Sequence, residues 1–161
     1  MANDANKAVR AQKTYNDLCT HLDSIGLKYT RHDDDKVITL TMNGDDLPME
    51  MILYVREKQE VIQLISPIRP KAPEDKRIDA AVAVNVANYG IVCGSFDYDI
   101  SDGEIRWRAT LPYRDAAITK DQIYYLVMVS AGTVDNYNDK FLMFNKGMMS
   151  LEQFIASQNA E

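Results

Sequence analysis

Four acids gather in one short stretch of this chain: Asp97, Asp99, Asp102 and Glu104, within FDYDISDGEIRWRATL at 96–111. Acids at alternate positions near a glycine suggest a calcium loop, because a hard cation collects several carboxylate and carbonyl oxygens. The spacing does not fit one. A twelve-residue calcium loop places oxygen donors at its first, third and fifth positions, glycine at the sixth and glutamate at the twelfth. Counted from Asp97, the sixth position is Asp102, the seventh is Gly103 and the twelfth is Arg108. The Asp–Arg pairs of the same stretch could serve as acid–base or substrate-clamping groups, but a hairpin explains them without a substrate. Asp102-Gly103 is a two-residue turn signal, since a type I′ turn needs positive φ. It places Asp99 opposite Arg106, Asp97 opposite Arg108, Tyr98 opposite Trp107 and Ile100 opposite Ile105, with opposite charges directly across from one another. Phe96, Tyr98, Ile100, Ile105, Trp107 and Ala109 then share one face, and Trp107 is expected to be buried beside Tyr98.

Other candidate chemistry is sparse. Cys19 lies on the apolar side of an expected helix, and Cys93 enters a strand. With His21 and His32 as the only histidines, no ligand spacing for a metal arises. Asp33, Asp34 and Asp35, with Asp45 and Asp46, read as two solvated acidic turns. There is no Gly-x-Ser-x-Gly elbow and no phosphate loop. The residues therefore point to no catalysis, no metal and no cofactor.

The elements that position these residues follow from periodicity. Residues 5–25 form an amphipathic helix with Tyr15, Leu18, Cys19, Leu22 and Ile25 on one stripe and Gly26 just past its end. Four strands follow: 28–32, 37–42, 49–56 and 60–66. The hairpin at Asn43-Gly44 has two registers that keep its apolar face: a two-residue loop pairs Leu40 with Leu47, and a four-residue loop pairs Leu40 with Met49. Pro67–Pro73 breaks the fourth strand and leads to a helix over 73–89, stopped by Gly90. Its middle, Ala80–Ala87, is apolar almost all round, so it should be covered on more than one side. The 96–111 hairpin comes next. Thr119 and Gln122 then form a capping box, stapled by Ile118 and Ile123, at the head of a long helix ending at Gly147. Ser150 and Gln153 repeat the box before a short last helix. The order helix, four strands, helix, two strands, helix, helix, with short turns between sequential strands, gives an antiparallel α+β fold in one domain, 1–161.

Composition narrows the function classes. A net charge of −6 argues against nucleic acid as partner. No apolar run approaches the roughly 18 residues that span a membrane, and the start of the chain lacks the pattern of a signal peptide, so a cytoplasmic setting is expected. One surplus stands out. The run Ile123–Val129 is apolar around the whole helix, and Phe141, Met143, Phe144, Met148 and Met149 extend it. The second face lies under the C-terminal segment, in a homodimer interface, or open as a methionine-rich docking surface. Tyr124, Tyr125, Met128, Phe141, Met143, Phe144, Met148 and Met149 are accordingly the candidate partner-binding residues.

The element order, with AAVAVNVANYG (80–90), IVCGSF (91–96) and the hairpin up to Pro112, resembles the YbjN-type domain, which shares the type III secretion chaperone-like fold. Asn85 or Asn88 would match that family's helix asparagine, and Asp102-Gly103 its turn. The resemblance implies a two-layer fold with helices on one face of a curved antiparallel sheet. It also implies homodimers and a chaperone-like or regulatory role in binding extended client segments, with no catalytic residues to carry over. Strand addition to an open sheet edge is the expected mode. The competing expectation is a small-molecule or enzymatic site between the 73–89 helix and the sheet, lined by Asn85, Asn88, Tyr98 and Trp107.

Overall fold

A computed structural model describes the backbone of residues 2–158 and the side chains of residues 5–158. Helix α1 (Ala2–Ser24) leads into β1 (Thr30–His32), β2 (Val37–Asn43), β3 (Pro48–Arg56) and β4 (Val61–Ile68). Helix α2 (Arg77–Asn88) follows a 3-10 turn at Glu74–Lys76. Then come β5 (Ser95–Asp99), β6 (Glu104–Pro112), α3 (Lys120–Asn145) and α4 (Leu151–Gln158). The strands make one antiparallel sheet in the order β1-β2-β3-β4-β6-β5. This is the expected α+β order.

Alternation sorts the sheet into two faces. Ile38, Leu40, Met49, Met51, Leu53, Val55, Ile62, Leu64, Ile105, Trp107 and Ala109 are buried on the face packed by helices. Helix α1 contributes Tyr15, Leu18, Cys19 and Leu22 to the same core, and α3 contributes Ile123, Leu126, Val127, Val134, Phe141 and Phe144. Both capping boxes form. Thr119 accepts from the Gln122 backbone N–H while Gln122 accepts from Thr119, and Ser150 and Gln153 do the same. Each meets orphan N–H groups at a helix start.

The hairpin registers differ from the expected ones, by two residues in the 96–111 hairpin and by two or four in the other. Phe96 lies opposite Trp107, Tyr98 opposite Ile105, Asp97 opposite Arg106, and Asp99 opposite Glu104. The loop is Ile100–Gly103, closed by the Gly103 N–H donating to the Asp99 carbonyl at 2.8 Å. Side chains hold the wider loop open: Asp99 accepts from the Ser101 N–H and hydroxyl, and Asp102 accepts from the Glu104 N–H. Trp107 is fully buried, but its edge-on partner is Phe96 at 5.3 Å. Ile100 is exposed. In the other hairpin Leu40 pairs with Met51, a step beyond both expected registers, across the loop Gly44–Leu47. There Asp135 of α3 accepts from the Asp45 N–H. A two-residue slip keeps every side chain on its own face, so the hydrophobic pattern cannot detect it. Pro67 is also inside β4, opposite Arg106, and does not end the strand.

Candidate functional site

Helix α2 has two apolar faces. Ala80, Ala83, Val84 and Ala87 enter the core. On the opposite side Ile78 is 69 % exposed, Val82 40 % and Tyr89 96 %. These positions, with exposed Asn85 between Val82 and Tyr89, share one helical stripe. Helix α2 packs against both β5 and α4, as a helix apolar all round should, yet this stripe stays exposed among the described residues. Beyond α2 the turn carries Val92, 95 % exposed, and Cys93.

A groove of about 650 Å³ runs between the end of α2, this turn and α3, floored by Val129, Thr133 and Tyr137. Tyr125 stands on its wall, with its hydroxyl 3.2 Å from the Cys93 Sγ. That hydrogen bond raises the Tyr125 pKa.

The expected partner-binding residues separate into two groups. Tyr124, Tyr125, Met128 and Met148 are exposed, and Met143 and Met149 are partly covered. Phe141 and Phe144 are in the core and have no surface to offer. Phe154 of α4 stacks on both, with ring centroids 5.2 and 6.0 Å away. The C-terminal segment thus covers the distal half of α3, while the outer face of its first turns, with Tyr124, Tyr125 and Met128, remains bare. Ile78, Val82, Tyr89 and Val92 were not singled out by sequence. The available signal was that α2 is apolar all round.

The expected small-molecule site does not assemble. Asn88 Nδ2 donates to the Phe96 carbonyl at 2.9 Å, and the Phe96 N–H donates to Asn88 Oδ1 at 2.7 Å. The Tyr98 hydroxyl donates to the Arg77 carbonyl, Trp107 is sealed beneath Phe96, and Asn85 points away on the bare stripe. Asn88, Tyr98 and Trp107 are thus held by structure, while Asn85 faces the groove at the end of α2, away from the other three. Among the described residues no group of His, Cys, Asp and Glu is placed to hold a metal, and no helix is long and apolar enough to cross a membrane.

The two sheet edges are unlike. Helix α2 lies along β5 and is tied to it by the Asn88, Tyr98 and Arg77–Ser101 bonds. At the other edge β1 covers only Val37–Thr39 of β2. The Val55 N–H donates to Lys36 O, and the Gly44 N–H to Leu47 O, so even-numbered β2 residues turn their backbone groups to β3. Thr41 and Asn43 therefore turn theirs outward, beyond the end of β1. A shallow notch lined by Lys28, Tyr29, Leu40 and Thr41 lies beside them.

A family model, YbjN, described as "Putative bacterial sensory transduction regulator", matches residues 14–143. The chain belongs to the YbjN family. Its structure is similar to "Crystal structure of YbjN, a putative transcription regulator from E. coli", with TM-score 0.56 and 12% identity over 75% of this chain and 85% of that one. It is similar at lower scores to two complexes. One is described as "Crystal Structure of the ExsC-ExsE Complex" (TM-score 0.47, 13% identity, 78% and 93% of the two chains). The other is "Structure of the HopA1-SchA Chaperone-Effector Complex" (TM-score 0.44, 17% identity, 75% and 93%). No curated protein matches the chain.

Proposed function

We propose that this YbjN-family chain is a non-catalytic protein-binding module, chaperone-like or regulatory, that pairs with a second copy of itself and holds an extended segment of a client protein. The observation that carries this reading is α2, apolar on two opposite faces with one of them bare. A helix needs only one buried face to belong to a two-layer fold, and a second apolar stripe is worth burying only against a partner. Tyr89 and Val92 project beside the groove floored by Val129 and Thr133. Knobs next to a hole on one surface suit a two-fold contact, in which each copy fills the other. The family's description as a regulator supports a binding role.

The client segment belongs at the outward-facing groups of Thr41 and Asn43, where a strand can extend the line of β1. The edge at β5 is closed to such addition by α2.

Light scattering tests the pairing. Wild type should scatter as twice the 18.3 kDa of one chain, and Val82→Glu and Tyr89→Glu should scatter as monomers with an unchanged circular dichroism spectrum. A wild type that remains monomeric at the highest concentration reached overturns the pairing. Thr41→Pro removes one outward N–H at an edge that tolerates proline. Client binding that is unaffected by Thr41→Pro overturns the strand-addition mode.

A further inference from the structure

The sheet has a gap. The β3–β4 ladder runs from Arg56 opposite Val61 to Ile52 opposite Ile65 and stops there, although both strands continue. Met51 would next face Ser66, and the next hydrogen-bonded pair would set Glu50 opposite Pro67. Odd-numbered β3 residues turn their backbone groups to β2, as the Val55 and Leu47 bonds show, so Glu50 turns its own to β4. Its carbonyl would need the N–H of residue 67, and proline has none. Past this point β4 pairs with β6 alone.

A cleft of about 300 Å³ occupies the gap, with α3 beneath it. Met49, Ile68, Val134 and Leu142 give it apolar walls. Asn138, one helical turn from both Val134 and Leu142, is only 6 % exposed, and neither its Nδ2 nor its Oδ1 has a hydrogen-bond partner. Ser66, also lining the cleft, is fully buried with an unpartnered Oγ. Buried amides are normally satisfied, and an amide left with both functions open is uncommon. The charged groups on the cleft, Glu50 and Arg69, are solvent-exposed and lie 3.9 Å from each other.

We infer that this cleft binds a small neutral molecule carrying an adjacent N–H donor and carbonyl acceptor on an apolar body, the edge shared by lactams and carboxamides. The Asn138 amide atoms and Ser66 Oγ lie just beneath the cleft surface, so the ligand edge meets them as the Asn138 side chain turns toward it: the ligand N–H donates to Oδ1, and Nδ2 donates to the ligand carbonyl. Ser66 Oγ supplies a further contact. The apolar walls take the rest of the molecule, in the usual arrangement of a small-ligand pocket with a few fixed polar groups. An ion is disfavoured, because no buried charged group is present to compensate it. Water could satisfy Asn138 and Ser66 but would leave the four apolar walls wet. The site is separate from the α2 surface and from the β2 edge, and it stands or falls independently of the protein-binding reading.

The test compares 2-pyrrolidinone with γ-butyrolactone, a ring of the same shape without the N–H, by NMR titration of the full chain, following the backbone amides of Met49 and Ile68 in every variant and the Asn138 side-chain amide where it is present. Saturable binding of the lactam in the millimolar range, at least tenfold weaker binding of the lactone, and loss of lactam binding in Asn138→Leu are expected. Asn138→Leu replaces an unpartnered amide with an apolar group of similar size and should fold. Ser66→Ala, which leaves Asn138 in place, should weaken lactam binding without abolishing it. Lactone binding as strong as lactam binding, lactam binding retained in Asn138→Leu, or a lactam-soaked crystal with only ordered water in the cleft overturns the inference.

Discussion

Asn88 and Phe96 pair as two strand residues would, although Asn88 belongs to a helix. The asparagine amide gives its N–H to the Phe96 carbonyl and takes the Phe96 N–H in return, at 2.9 and 2.7 Å. One side chain thereby occupies a site at which a foreign strand would start to pair. The same latch fixes α2 along β5, and so fixes the direction in which Ile78, Val82 and Tyr89 face.

Asn88→Leu should release that latch. It removes two hydrogen bonds and leaves the Phe96 donor and acceptor unpaired in a part-buried position, a loss of about 1–3 kcal/mol. Urea denaturation should show that loss, and the Phe96 amide should exchange faster by hydrogen–deuterium exchange. An unchanged Phe96 exchange rate would show that the latch does not close the edge.

Gly103 should be far less replaceable than Gly26. Its φ is +79°, and a Cβ there would lie 2.2 Å from the Ala72 carbonyl oxygen, whose residue also donates its N–H to Gly103 O at 2.9 Å. Gly26 has a similar φ of +74° with nothing within 4 Å of its Cβ position. Gly26→Ala should cost only the left-handed backbone penalty, about 1 kcal/mol. Gly103→Ala should cost clearly more, because backbone must move. Equal denaturation midpoints for the two variants would refute the role of the Ala72 contact.

These two glycines show what the sequence could and could not reveal. Element order, strand faces, both capping boxes and the burial of Trp107 depend on local pattern, and all of them were legible. The hairpin registers were not. Asp135 reaches the Asp45 N–H from the middle of α3, and Ala72 meets Gly103 from the crossover, so contacts distant in sequence help select wide loops over tight ones. The candidate surface was half legible for a similar reason. The apolar surplus of α3 could be counted, but that Phe154 would claim Phe141 and Phe144 and leave Tyr124, Tyr125 and Met128 bare depends on how α4 docks. Asn138 went unnoticed in the stripe that runs from Val134 to Phe141, where a polar residue on a buried face was the available signal.

Asp97 should make part of the stability acid-sensitive. Burial raises its pKa, but the hydrogen bonds from Arg108 and the charges of Arg108 and Arg106 outweigh this and leave it below the ordinary value. A folded pKa below the unfolded one, about 3.9, means the carboxylate stabilises fully above that pH and its contribution is lost as pH falls through the folded value. Asp97→Asn should therefore melt below wild type at neutral pH, and the gap in Tm should close on acidification past about pH 4. A gap that stays constant down to the acid limit would show that the carboxylate charge is not the source.

Glu60 is the most buried acid among the described residues, 4 % exposed, and has a left-handed φ of +57°. Its carboxylate accepts from Arg10 Nε at 2.8 Å and lies 3.9 Å from Arg114. Its backbone carbonyl accepts from the Tyr113 N–H at 3.0 Å. One residue thus joins α1, the β3–β4 turn and the end of β6. A buried carboxylate is favourable only while its cations remain, and removing one partner leaves a charge the interior cannot solvate. Arg10→Met keeps most of the aliphatic stem and should cost about 2–4 kcal/mol. Glu60→Gln in the same background removes the stranded charge and should recover part of the loss. The double-mutant cycle read by urea denaturation should give a coupling of at least about 1 kcal/mol. A coupling near zero would mean that the turn is held by the Tyr113 backbone bond and that the Arg10 contact is incidental to it.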